Sequence, residues 1–179
     1  MQTPEESPLS TLFRTLALTL FTAIASLAHA VPFDLSATKL GGGGVVRVAD
    51  YRGQVVVVNL FAHWCPPCRM EMPDFEAVYE ARKDRGLVIL GMAADVSDPQ
   101  DVQSLITRLG VQYPIGVLTQ DQAAQLIRVL PTTVLLGTDG EIVQVFEGML
   151  TQEQLLAQVD PLLPPEPLEA LPGIPTGAM

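Results

Sequence analysis

The chain has 179 residues, 48 % of them apolar, with 20 acidic side chains against 10 basic ones. That is length for one domain of ordinary size plus extra segments, and the apolar content excludes a disordered chain. The formal charge is −10 and no basic stripe runs along the sequence, so nucleic acid is excluded as a partner and the acidity reads as solubility.

The first segment reads as an address. Arg14 precedes an apolar run from Leu16 to Ala28, which ends in Ala28-His29-Ala30 and is followed by Val31-Pro32. Small-x-small after such a run is the layout of a secretory signal cleaved after Ala30. The run is shorter than the ~20 residues that span a bilayer, and an uncleaved anchor is the alternative. Neither a twin-arginine pair nor a cysteine near the cleavage point supports another route. Export places both thiols where disulfides form and persist.

Four glycines, Gly41 to Gly44, read as the turn of an early hairpin joining Leu35 and Val45, since no helix follows them to cradle a phosphate. Val55 to Phe61 is a β-branched run expected of a strand buried on both faces. A helix is predicted from about Cys65 to Lys83, with Phe75, Val78 and Tyr79 on its inner face and a kink at Pro73. Leu87 to Ala93 is a second buried strand. Asp98 caps a helix with Pro99 at its first position and an apolar stripe of Val102, Leu105, Ile106 and Leu109. A shorter helix is predicted over Gln122 to Arg128. Thr133 to Leu136 and Ile142 to Phe146 flank Asp139-Gly140, a hairpin signal. Thr151 and Gln154 form a capping box for a last helix carrying Leu155, Leu156, Val159 and Leu162. From Pro161 to Met179, six prolines and two glycines leave too few backbone donors for a packed element. Residues 1–30 are thus expected to be the signal, 31–163 the domain and 164–179 an extended tail.

The only cysteines are Cys65 and Cys68, in Trp64-Cys65-Pro66-Pro67-Cys68. They directly follow a buried strand and open a helix. At the helix start, unpaired N–H groups and the dipole favour a thiolate, which makes Cys65 the nucleophile. Cys68, one turn in, can attack Cys65 once a mixed disulfide has formed. Pro66 and Pro67 occupy positions where a missing N–H costs little. Other uses of the pair fit less well. Structural zinc wants four ligands, and His63 and His29 are the only other soft candidates. Haem attachment wants histidine where Arg69 stands. A copper chaperone wants a late histidine, and a peroxidase of the peroxiredoxin kind wants a lone cysteine in a different loop. A purely structural disulfide stays open, although so short a loop gains little closure entropy.

The segment from Val55 to Pro73, together with Gly53, Glu71 and LPTTVLLGTDGEIV, resembles the thioredoxin superfamily, closest to its exported TlpA/ResA-like thiol-disulfide oxidoreductases. The resemblance runs from about Phe33 to Leu163. It implies an α/β thioredoxin-like fold: a central mixed sheet flanked by helices, with an N-terminal hairpin and a helix and strand inserted before the hairpin that carries a cis-proline. Pro131 matches that cis-proline, which faces the disulfide. Two positions depart from the pattern: Asn59 stands where cytoplasmic thioredoxins carry a buried aspartate, and Leu130 breaks the usual Gly-Ile-Pro wording.

On this reading Glu71, three residues after Cys68, takes the proton that Cys68 must lose; the plain alternative is a helix-surface glutamate. Trp64 shields the disulfide and, with Pro66, Leu130 and Pro131, offers contact surface to substrate; core packing is the alternative for Trp64. Leu130 presents backbone groups to an extended chain. Arg69 points to solvent, and His63 is a loop residue whose charge would favour a neighbouring thiolate. The resemblance implies a monomeric reductase of disulfide-containing proteins, needing no cofactor or metal, fed by a membrane thiol donor, with cytochrome c maturation as one pathway. A metallochaperone using the same thiols is the competing class.

Overall fold

The computed structural model describes residues 33–94 and 98–165. The expected signal (1–30) and nearly all of the Pro-rich tail lie outside them. The elements in chain order are β1 (Ser36–Lys39), β2 (Val45–Arg47), β3 (Val55–Phe61), α1 (Pro66–Arg82), β4 (Leu87–Ala93), α2 (Pro99–Leu109), β5 (Ile115–Val117), α3 (Gln120–Leu126), β6 (Thr132–Leu136), β7 (Ile142–Glu147) and α4 (Gln152–Val159). The strands form one mixed sheet in the order β2-β1-β5-β4-β3-β6-β7. β3, β4 and β5 run parallel, joined by helical crossovers, while the β1–β2 and β6–β7 hairpins flank them antiparallel.

β3 and β4 are buried along their whole length, as continuous apolar runs require. Alternate residues feed two cores. Val55, Val57, Phe61, Leu87 and Ile89 meet α1, α2 and α4 on one face. Val56, Val58, Leu60, Leu90 and Met92 meet Val134, Leu136 and the N-terminal hairpin on the other. The Gly41–Gly44 turn takes positive φ throughout, a conformation that glycine adopts without steric cost.

α1 runs from Pro66, with Cys65 as its cap, through Pro73 to Arg82, within the expected bounds. Two expectations need adjusting. The short helix lies two residues earlier than predicted, because Thr119 and Gln122 form a capping box that fixes its start. β6 and β7 each gain a residue at one end, Thr132 and Glu147.

Candidate active site

The cysteines sit where β3 hands over to α1. Their sulfurs are bonded, 2.05 Å apart, with Cα atoms separated by 5.3 Å. Cys65 is 3 % exposed and Cys68 fully buried. Cys65 caps the helix through its sulfur: the Cys68 backbone N–H donates to Cys65 Sγ at 3.3 Å. Pro66 and Pro67 have no N–H, and the Arg69 N–H is already spent on the Cys65 carbonyl. Among the described residues a single amide therefore reaches the Cys65 sulfur.

Glu71 is not on the helix surface. It is 1 % exposed, and each carboxylate oxygen accepts one hydrogen bond. Asn59 Nδ2 donates to Oε1 at 2.8 Å, and the Leu150 N–H donates to Oε2 at 3.1 Å. Burial raises its pKa from 4.5 to about 7, with these two hydrogen bonds pulling the other way. Glu71 stands one turn beyond Cys68 on α1, where residues three apart are neighbours.

The floor beneath Glu71 is polar in an otherwise apolar sheet. Asn59 of β3 and Thr133 of β6 are cross-strand partners, both fully buried, and Asn59 Nδ2 lies 3.4 Å from Thr133 Oγ1. Asn59 Oδ1 has no partner among the described residues. Tyr113 stands nearby: burial pushes its phenol far above the usual range, and the carboxylates of Glu71 and Glu76 push it the same way. Sequence reasoning notes Asn59 only for the aspartate it replaces and misses its bond to Glu71. The signal is there to be read, since a polar side chain in a fully buried strand must find a partner.

The Leu130–Pro131 bond is cis. Thr132, the next residue, pairs with Leu60 at the end of β3, so Pro131 lies at the sheet end from which the chain departs for Cys65. Leu130 packs against the core cluster that holds both cysteines. The Pro131 carbonyl accepts from the Gly148 N–H at 2.8 Å, whereas the backbone groups of Leu130 find no partner among the described residues. Trp64 is 62 % exposed rather than packed in the core. Pro66 and Arg69 are exposed as well, and His63 Nε2 lies 3.6 Å from Asp101 Oδ2.

A model of the AhpC/TSA family matches residues 28–145, a span that holds both cysteines, Glu71 and Pro131. The chain is 35 % identical to the thiol-disulfide oxidoreductase ResA of Geobacillus kaustophilus, over 80 % of this chain and 81 % of that protein. Among solved structures, a secreted thiol-disulfide isomerase from Corynebacterium glutamicum superposes with a TM-score of 0.68 at 26 % identity, covering 73 % of this chain and 84 % of the other. A thiol:disulfide interchange protein of the thioredoxin family from Chlorobium tepidum gives 0.65 at 26 % identity, covering 75 % and 99 %. The fold is thioredoxin-like.

Proposed function

The chain belongs to the AhpC/TSA family and is a thiol-disulfide oxidoreductase; on that premise we propose that it is an exported reductase of disulfides in other proteins. The observation that carries the direction is the sparse stabilisation of the Cys65 sulfur. Among the described residues one amide reaches it, Pro67 removes the donor that would otherwise join, and the buried Glu71 carboxylate one turn beyond Cys68 disfavours further negative charge on the pair. A dithiol whose thiolate is weakly held gives up its electrons readily, because the disulfide form is then the favoured one.

In the cycle, the Cys65 thiolate attacks one sulfur of a substrate disulfide and expels the other as a thiolate. Glu71 takes the proton from Cys68. The Cys68 thiolate then attacks Cys65 Sγ, the bond to substrate breaks, and the Cys65–Cys68 disulfide is left. Two electrons pass from protein to substrate. Trp64, Pro66, Leu130 and Pro131 form the face that meets substrate, with the backbone of Leu130, which has no partner among the described residues, open to an extended strand. A membrane thiol carrier restores the dithiol, and cytochrome c maturation is one pathway that such a reductant serves. The protein acts as a monomer. The layout of Leu16 to Ala30 and the secreted Corynebacterium relative support export.

Equilibration with glutathione mixtures tests the direction. The pair is expected to stay oxidised in a mixture poised at about −220 mV and to need a stronger donor. A potential near that of a strong oxidant, about −120 mV, would overturn the reading.

A further inference from the structure

Asn59 is the only described side chain that hydrogen-bonds the Glu71 carboxylate. It is fully buried, and it stands on the row of the sheet directly beneath α1, paired across strands with Thr133. Both hydrogens of its amide nitrogen are directed at oxygens: Glu71 Oε1 at 2.8 Å and Thr133 Oγ1 at 3.4 Å. Its carbonyl oxygen is buried with no partner among the described residues. A buried amide that leaves its strong acceptor unused is costly unless a donor arrives at some stage.

An amide differs from the carboxylate it replaces in one chemical respect. It carries a permanent donor and a permanent acceptor on the same carbon. The donor suits Glu71 as a carboxylate. The Nδ2–Glu71 bond is made to the ionised form, so it favours loss of the Glu71 proton against the burial that opposes it. Aspartate at this position would offer a donor only when protonated, and it would compete with Glu71 for that proton.

We propose that Asn59 is the positioning residue that fixes the pH at which Glu71 accepts the Cys68 proton, by donating Nδ2 to the carboxylate from the buried sheet. The inference rests on Glu71 being the proton acceptor. The proton leaves Cys68 Sγ for a Glu71 oxygen, the sulfur lone pair forms the bond to Cys65, and the departing substrate sulfur takes the electron pair of the broken bond. The surroundings supply few rivals for the proton. β3 and β6 bring Asn59 and Thr133, neither of which titrates. α1 itself adds the cysteines, Asp74, whose Oδ2 is engaged by the Gln152 N–H, and Glu76, whose Oε2 is engaged by the N–H groups of Gln112 and Tyr113. Tyr113 remains un-ionised well into alkaline pH.

Two variants and two readouts test it. Asn59→Asp keeps the shape, and Asn59→Ala removes the amide. Carboxyl chemical shifts of 13C-labelled glutamate in the oxidised protein report the Glu71 midpoint. An activated aromatic disulfide mixed with reduced protein releases one thiolate on attack by Cys65 and a second on resolution by Cys68, so the second phase gives the resolving rate across pH. Both variants are expected to raise the Glu71 midpoint and to move the acid limb of the resolving profile upward by the same interval. For every pH unit that the midpoint climbs, resolution slows about tenfold at pH values below both midpoints. An unmoved midpoint in the variants overturns the role of Asn59 and leaves Glu71 as the acceptor. A midpoint that moves while the resolving profile stays put overturns Glu71 as the acceptor, and the inference with it. Where Asn59→Ala fails to fold, the near-isosteric and apolar Asn59→Leu carries the test, because Asn59→Asp adds a second proton acceptor.

Discussion

The Leu150 backbone N–H donates to Glu71 Oε2 across 79 positions of sequence, tying the loop before α4 to the helix that carries the cysteines. Asn59 holds the other oxygen from the sheet. The carboxylate is thus gripped from two elements outside its own helix, and its burial, not its hydrogen bonds, dominates its proton affinity.

Folding should therefore depend on pH through Glu71. Its folded pKa, about 7, lies above its ordinary 4.5, so the native state binds the proton more tightly than the unfolded chain does. This contribution is fully present below the unfolded pKa and is lost as pH rises through the folded one, over a range of about 3 kcal/mol. Urea denaturation at about pH 5 and about pH 8 should show wild type losing stability between them, and Glu71→Gln should flatten the difference.

The same substitution should slow resolution more than attack. Glu71→Gln keeps the shape but removes the proton acceptor, and the resolving step is expected to fall by about a hundredfold. The first attack by Cys65 changes less. With the neighbouring carboxylate gone, at least one thiol pKa should fall, read from thiolate absorbance.

The two sulfurs should differ in reactivity. Cys68 is fully buried, and its N–H points at Cys65 Sγ. In the reduced protein near neutral pH, Cys65 should be alkylated at least about ten times faster than Cys68. Cys68→Ala should trap a mixed disulfide with substrate, and Cys65→Ala should trap none. Mass spectrometry of the alkylated and trapped species decides both.

Pro67 withholds a donor from the second helical position, one that a capping side chain ordinarily uses. Pro67→Ala restores that N–H beside Cys65 Sγ. The Cys65 pKa should fall and the potential should rise by about 30 mV, equivalent to tenfold in the exchange constant with glutathione.

Gly91 on β4 leaves room for the Tyr113 ring near Glu71. A Cβ there would collide with Ile115 Cδ1 and come within 3.1 Å of Phe61 and 3.2 Å of Tyr113. Gly91→Ala should destabilise the fold by about 1–3 kcal/mol, measured as a lower urea midpoint.

Much of this is legible in the sequence where one local rule decides. The nearly continuous apolar runs of β3 and β4 give their bounds, and Asp98 and Thr151 give theirs to α2 and α4 through side-chain caps. Thr119-x-x-Gln122 is the same capping signal as Thr151-x-x-Gln154, and passing over it misplaces α3. The spacing of Cys65, Cys68 and Glu71 is visible because one helix carries all three. What surrounds Glu71 is not, because Asn59, Thr133 and Leu150 arrive from three other parts of the chain. The apolar stripe of α1 does separate its glutamates: Glu71 stands four residues before Phe75 and seven before Val78, on the buried side, whereas Glu80 lies off that stripe and meets Lys83 in solvent.

The outer strands of the sheet carry a consequence for self-association. An enzyme whose substrates are other polypeptides is repeatedly offered strands to pair with, and an open sheet edge is a template for them. At one side β2 is only three residues long, too short to hold a stray strand. At the other, β7 is six residues long and exposes Ile142, Val143 and Val145, the combination from which aggregation starts. Its pairing with β6 slips in register between Leu135 and Leu136, which bends the edge away from flatness. Glu141 and Glu147 bracket the apolar run, so two copies meeting edge to edge bring like charges together at both ends. Those two glutamates are gatekeepers: they touch no part of the disulfide, yet the concentration at which the protein stays dispersed depends on them.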